Sequence, residues 1–99
     1  MRKITQQAIN AFMNDFTFNN SNTQVTIGTN KEGKHTILYL FGNEIVHKIN
    51  GQISISNCGY FTNTTKERLN GIPGVRINQS KGKWFLNGKE WDGKPTKIN

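Results

Sequence analysis

Apolar residues recur at Ile4, Ala8, Phe12 and Phe16, with Ile9, Ala11 and Met13 widening the stripe. That spacing predicts an amphipathic helix of roughly three turns packed on a sheet. Its other face, Gln6, Gln7, Asn10 and Asn14, is polar and uncharged. Phe18 to Asn22 is rich in turn formers. Beyond it the period changes from about four to two, and short strands alternate with turns. Val25 and Ile27 mark the first strand, Thr36 to Phe41 the second, Glu44 to Ile49 the third and Gln52 to Ser56 the fourth. Asn30-Lys31-Glu32-Gly33 separates the first two. Gly42-Asn43 and Asn50-Gly51 read as two-residue hairpin turns, because such turns need positive φ.

Two-residue turns fix register, and register decides which side chains share a face. Pairing Phe41 with Glu44 and Ile49 with Gln52 puts Ile37, Tyr39, Phe41, Val46, Ile53 and Ile55 on the face under the helix. The opposite face then holds Leu38, Leu40, Ile45, His47 and Ile49 beside Ser54 and Ser56. So apolar a face is not expected to stand bare in water. Leu38, Leu40, Ile45 and Ile49 are therefore expected either under the C-terminal segment or in a self-association surface.

After Asn57-Cys58-Gly59-Tyr60-Phe61 comes a short second helix. Thr64 reads as its N-cap with Glu67 completing a capping box. Gly71 reads as a left-handed stop, Pro73 prevents continuation, and Leu69 and Ile72 are its buried anchors. Val75 to Gln79 and Lys83 to Asn87 then pair around Ser80-Lys81-Gly82. With Lys81-Gly82 at the tip, Gln79 faces Trp84, Asn78 faces Phe85 and Ile77 faces Leu86. Trp91 anchors the tail, and residues 93–99 are expected to fray. The whole reads as one small basic α+β domain over 1–99: N-terminal helix, four-stranded antiparallel meander, short second helix, C-terminal β-hairpin.

Charge adds a direction. The 99-residue chain carries a formal net charge of +7. Residues 1–50 contribute +2 and residues 51–99 contribute +5. A basic half draws phosphate-bearing or acidic partners over long range, although lysine-rich surfaces also serve solubility alone. The outward hairpin face would present Arg76, Asn78, Ser80, Lys83, Phe85 and Asn87, with Lys81 at the tip. Cations neutralise phosphates, a ring offers a stacking platform, and amides both donate and accept. Lys66 and Arg68 add charge on the second helix, and the amides at Thr64 and Thr65 suit a phosphate. The competing account is a plain solvated face with Phe85 packed under the tail, and a Thr-rich cap that only caps.

Chemistry beyond binding is poorly provided for. His47 falls opposite Ser54, but no acidic orienter or oxyanion donor stands out, so no catalytic residues are assigned. The carboxylates are scattered, and the glycines form neither a Walker loop nor a dinucleotide fingerprint. The single cysteine, Cys58, excludes an intrachain disulfide and fits a reducing compartment. One cysteine and two separated histidines are not the usual zinc ligand pattern, and no metal or cofactor is expected. Met1-Arg2-Lys3 leads into polar residues rather than a secretory signal, and no apolar run is long enough to span a membrane.

Four blocks carry a family resemblance. They are Ile4-Thr5-Gln6-Gln7-Ala8 with Ala11-Phe12, Leu40 to Ile45, Asn57 to Asn70, and Lys81 to Gly93. Together they resemble a widespread family of small, uncharacterised bacteriophage proteins over nearly the whole chain. Cys58 and Tyr60 depart from it, standing where Ala and Trp are more usual. The resemblance implies expression in the host bacterial cytoplasm and brings no activity with it. Three roles stay open: a non-enzymatic module binding nucleic acid (DNA or RNA), a phage inhibitor binding a host protein such as a defence nuclease, and a self-associating module.

Overall fold

A computed structural model describes residues 2–98. Helix α1 spans Lys3–Met13 and helix α2 spans Asn63–Asn70. Strands β1 (Phe18–Asn20), β2 (Thr23–Asn30), β3 (Gly33–Leu40), β4 (Asn43–Ile49) and β5 (Gln52–Ile55) form an antiparallel meander. After α2 come β6 (Ile77–Ser80), β7 (Lys83–Leu86), β8 (Lys89–Glu90) and β9 (Thr96–Lys97). The large sheet has the order β1-β2-β3-β4-β5-β9, and β6-β7-β8 form a separate ribbon. The expected α+β plan and element order hold. The turn-rich segment supplies an extra edge strand, and the expected tail closes the far edge. Thr96 pairs with Ile55 and Lys97 with Ser54, so the chain is not frayed there. Asn99 lies outside the described residues.

The α1 stripe stops one turn early. Asp15 takes φ 59°. The Phe16 N–H reaches the Ala11 carbonyl at 2.8 Å and the Asp15 N–H reaches that of Phe12 at 3.4 Å. This is a Schellman stop with aspartate at the left-handed position, and it turns Phe16 out into solvent. Lys48 completes the end. Its Nζ donates to the Phe12 and Met13 carbonyls at 2.9 and 3.2 Å and meets Asp15 Oδ1 at 3.0 Å. A cation at a helix C-terminus is favoured by the macrodipole.

Asp15 also accepts from Thr36 Oγ1 at 2.6 Å and Lys34 Nζ at 3.3 Å. The Thr36 hydroxyl first, then Lys48, draws its carboxyl from 3.8 down to about 2, with Lys34 adding to the shift. A depressed folded pKa gives stability that is present above the unfolded value and lost as pH falls through the folded one. Asp15→Asn should therefore cost about 1–2 kcal/mol at pH 7, its side chain being partly solvated. The variant should also lose less stability than the parent between about pH 4 and pH 2. Urea titrations across that range check both points, and parallel acid limbs would contradict them.

Register in the middle of the sheet departs from expectation. The β3–β4 turn is Phe41-Gly42, with φ 52° and 79°, and Leu40 pairs with Asn43. A bulge follows: Tyr39 pairs with Glu44 and Leu38 with Val46, which leaves Ile45 as the extra residue. The shift reverses the faces of β3. Leu38 and Leu40 join Val25, Val46, Ile53 and Ile55 in the core with Phe12, and Phe41 stands in solvent at 69% exposure. Ile45 is also buried. Leu38, Leu40 and Ile45 are thus interior, and the self-association face built on them does not exist. Ile49 lies half-buried with His35, Ile37, Tyr39 and His47. On β3 and β4 its row is the one opposite Thr36, Leu38 and Lys48.

Helix α2 is capped by Thr62, not Thr64. The Thr62 backbone is extended and its Oγ1 accepts from the Thr65 N–H at 3.2 Å. Glu67 is drawn elsewhere, to Thr5 and Arg68. Gly71 has ordinary helical geometry with φ −74°. Its lack of a side chain serves packing instead, since a Cβ there would lie 2.7 Å from Ile9 Cγ1 on α1.

Candidate nucleic-acid interface

Residues 75–90 build the ribbon. Gln79 pairs with Trp84, Asn78 with Phe85 and Ile77 with Leu86, as the two-residue Lys81-Gly82 turn dictates. Trp84 and Ile77 face the body, and Trp84 meets Phe61 edge-on at 5.1 Å and Trp91 at 6.3 Å. Asn70 fastens the ribbon to α2 as a surrogate strand. Its Oδ1 accepts from the Ile77 N–H at 2.6 Å and its Nδ2 donates to the Ile77 carbonyl at 3.0 Å.

The outward face carries Asn78, Lys83 and a half-buried Phe85, with exposed Arg76 at the base and Lys81 at the tip. An open cleft of about 640 Å³ lies at the base, lined by Gly74, Val75, Arg76, Asn78, Asn87 and Gly88. Asn87 is committed to the backbone there: it accepts from the Arg76 N–H at 2.8 Å and donates to the Gly74 carbonyl at 3.0 Å.

Four sequence-derived site residues do not join this face. Arg68 is 1% exposed. Its Nη1 donates to Thr5 Oγ1 and Glu67 Oε1, both at 2.6 Å, and its Nε donates to Thr23 Oγ1 at 3.1 Å. Burial lowers its pKa and Glu67 counters the shift. Burial also works against the Glu67 carboxylate, but Thr5, Arg2 and Arg68 outweigh it and hold that pKa below 4.5. Lys66 meets the inner side of the ribbon, donating to Gln79 Oε1 at 3.1 Å with its ammonium 5.9 Å from the Trp84 ring centroid. Thr65 is buried and its N–H is already taken by Thr62. Thr64 is half-buried in the first turn of α2.

One residue was missed. Glu90 pairs with Phe85 on β8 and places a carboxylate on the outward face, 3.7 Å from Lys83 Nζ. The signal was Asn87-Gly88, a strong hairpin dipeptide.

The two histidines, distant in sequence, meet on the large sheet. His35 Nδ1 lies 2.7 Å from His47 Nε2, Asn30 Oδ1 is 3.0 Å from His35 Nε2, and Glu44 Oε1 is 3.3 Å from His47 Nδ1. His47 does pair with Ser54 in register, and Glu44 supplies the acidic neighbour that the sequence did not reveal. Both ring nitrogens of His47 are engaged by these neighbours, which is not the free base a serine nucleophile needs. Among the described residues no group of three or more His, Cys, Asp or Glu is placed to hold a metal ion. Among them, too, no helix is long and apolar enough to cross a membrane.

No curated protein and no solved structure matches the chain. A family model does, that of the Kyanoviridae Gp96 protein, over residues 1–97. The chain therefore belongs to this family of small phage proteins.

Proposed function

We propose that the chain is a non-enzymatic module that binds nucleic acid, DNA or RNA, through the outward face of its C-terminal ribbon. The observation that carries this reading is the shared surface of Arg76, Asn78, Lys81, Lys83 and a half-exposed Phe85. The cations neutralise phosphates and the ring receives a base. Phosphate contacts carry no sequence information, so the affinity is modest, salt-sensitive and weakly sequence-dependent.

Gel-shift titrations of single-stranded oligonucleotides at low and moderate salt test the proposal. Lys81→Ser and Lys83→Ser should each reduce the salt slope by roughly 0.7. Absence of a shift at low salt would end the reading.

Glu90 favours a second reading. A carboxylate amid the cations suits a mixed-charge protein surface better than a bare polyanion. In that case the chain is a phage inhibitor of a host protein such as a defence nuclease. Pull-down from nuclease-treated host lysate separates the two, because only a protein partner survives the nuclease.

A further inference from the structure

We infer that the cleft between the β3–β4 turn and the segment entering α2 is a pocket for a nucleobase. It measures about 230 Å³, has Leu40 and Ile45 among its walls, and is also lined by Phe41, Tyr60, Asn57 and Thr65. Two features of the pocket work against stability: an unpaired buried donor, and a bulky residue at a turn position that requires positive φ.

The first is Asn57, which is 1% exposed. A Cβ on Gly93 would lie within 2.4 Å of all three terminal atoms of the Asn57 amide, so that amide rests against the bare glycine. Its Oδ1 accepts from the Gly59 N–H at 2.9 Å. Its Nδ2 has no acceptor, the one such buried side-chain nitrogen or oxygen among the described residues. A buried donor without a partner is destabilising until an acceptor arrives.

The second is Phe41. A bulky side chain at φ 52° is rare, and strain of this kind concentrates at functional positions. Its ring is also largely in solvent, as is that of Tyr60 at 53% exposure.

The chemistry of the occupant follows from these walls. No charged side chain lines the cleft, so the inserted group is neutral. Two exposed rings beside an apolar wall suit a flat π-system. An acceptor on the edge of that system satisfies Asn57 Nδ2 once the amide or the Tyr60 rim gives way slightly. An aliphatic peptide side chain would fill the apolar part and leave the donor unpaired. A nucleobase meets every condition, and the net charge of +7 attracts its phosphate-bearing carrier. The base can belong to a free nucleotide or to a single strand. Only the strand rests on the ribbon reading above.

Titrating ¹⁵N-labelled protein with uridine monophosphate and with an eight-nucleotide oligo(dT) tests the inference. Both probes should shift the Asn57 side-chain amide resonances. Phe41→Asn creates Asn-Gly, the preferred pair for this turn, so it should raise the melting temperature. The same variant should weaken binding of both probes about tenfold through loss of a stacking ring. A gain in stability with a loss of binding rules out misfolding as the cause. An unmoved Asn57 amide, or unchanged affinity in Phe41→Asn, would overturn the pocket. If oligo(dT) then still shifts Lys81 and Lys83, the ribbon reading stands without it. If uridine monophosphate shifts Asn57 while oligo(dT) leaves the ribbon unmoved, the pocket stands and the ribbon reading fails.

Discussion

Replacing Arg68 with alanine should lower folding stability by about 3–5 kcal/mol, the range for breaking a buried charge network. A domain of this size has roughly 5–15 kcal/mol in all, so the variant keeps little margin. The guanidinium links four parts of the chain. It leaves α2, donates to Thr5 on α1, to Thr23 on β2 and to Asn22 in the β1–β2 turn, and pairs with Glu67 beside it. Truncation leaves the buried hydroxyls of Thr5 and Thr23 short of a partner and opens a cavity where the side chain lay. Lysine is a poor substitute, because a single ammonium cannot serve several acceptors in a planar fork. Arg68→Lys should thus lose more than half as much. Urea titration measures both, and a loss under about 1 kcal/mol for the alanine variant would refute the network's importance. Arg68 is also walled off from any ligand. Below the unfolding transition the lysine variant should bind oligonucleotide as the parent does. A specific binding defect would return Arg68 to the surface site from which its burial removes it.

Arg68 shows why the site was only half legible in the sequence. Charge was read as surface, although Thr65, Arg68, Leu69 and Ile72 follow the 3-1-3 spacing of one helical face, and all four are buried. The companions Thr5 and Thr23 lie far along the chain, and no local pattern announces them. The ribbon was easier, because a two-residue turn leaves a single register: Gln79 to Trp84 and Asn78 to Phe85 followed directly. The Asn50-Gly51 turn behaved the same way, pairing Ile49 with Gln52. The β3–β4 hairpin failed by that same logic. Gly42-Asn43 satisfies the turn rules better than Phe41-Gly42, so the strained phenylalanine and its compensating bulge were invisible until the fold placed Leu38 and Leu40 beneath α1. A local rule misled at the one hairpin that also borders the inferred pocket. Consistency across levels is expected to break where a residue serves something other than the fold.

Trp84 and Phe85 are neighbours on β7 with opposite duties, and their variants should part accordingly. Trp84→Ala should cost about 3–5 kcal/mol, as for other fully buried large aromatics. The indole is the main apolar bond between ribbon and body. Phe61 and Trp91 pack on it, Lys66 lies over it, and the Trp91 N–H holds its carbonyl at 2.9 Å. Its removal should loosen β6 to β8 before the large sheet yields, because β6 is then tied to the body mainly by Asn70, by the exposed Lys66–Gln79 hydrogen bond and by a few apolar contacts. Amide exchange would then rise first at residues 77–90. Phe85→Ala removes a half-exposed ring with far less burial, so stability should fall by about 1 kcal/mol. Nucleic-acid affinity should drop roughly tenfold, as for loss of one stacked base. Urea titration paired with gel shifts on both variants makes the comparison. Equal binding by Phe85→Ala and the parent would leave the outward ring without a role, and the ribbon would then be scaffold on both faces.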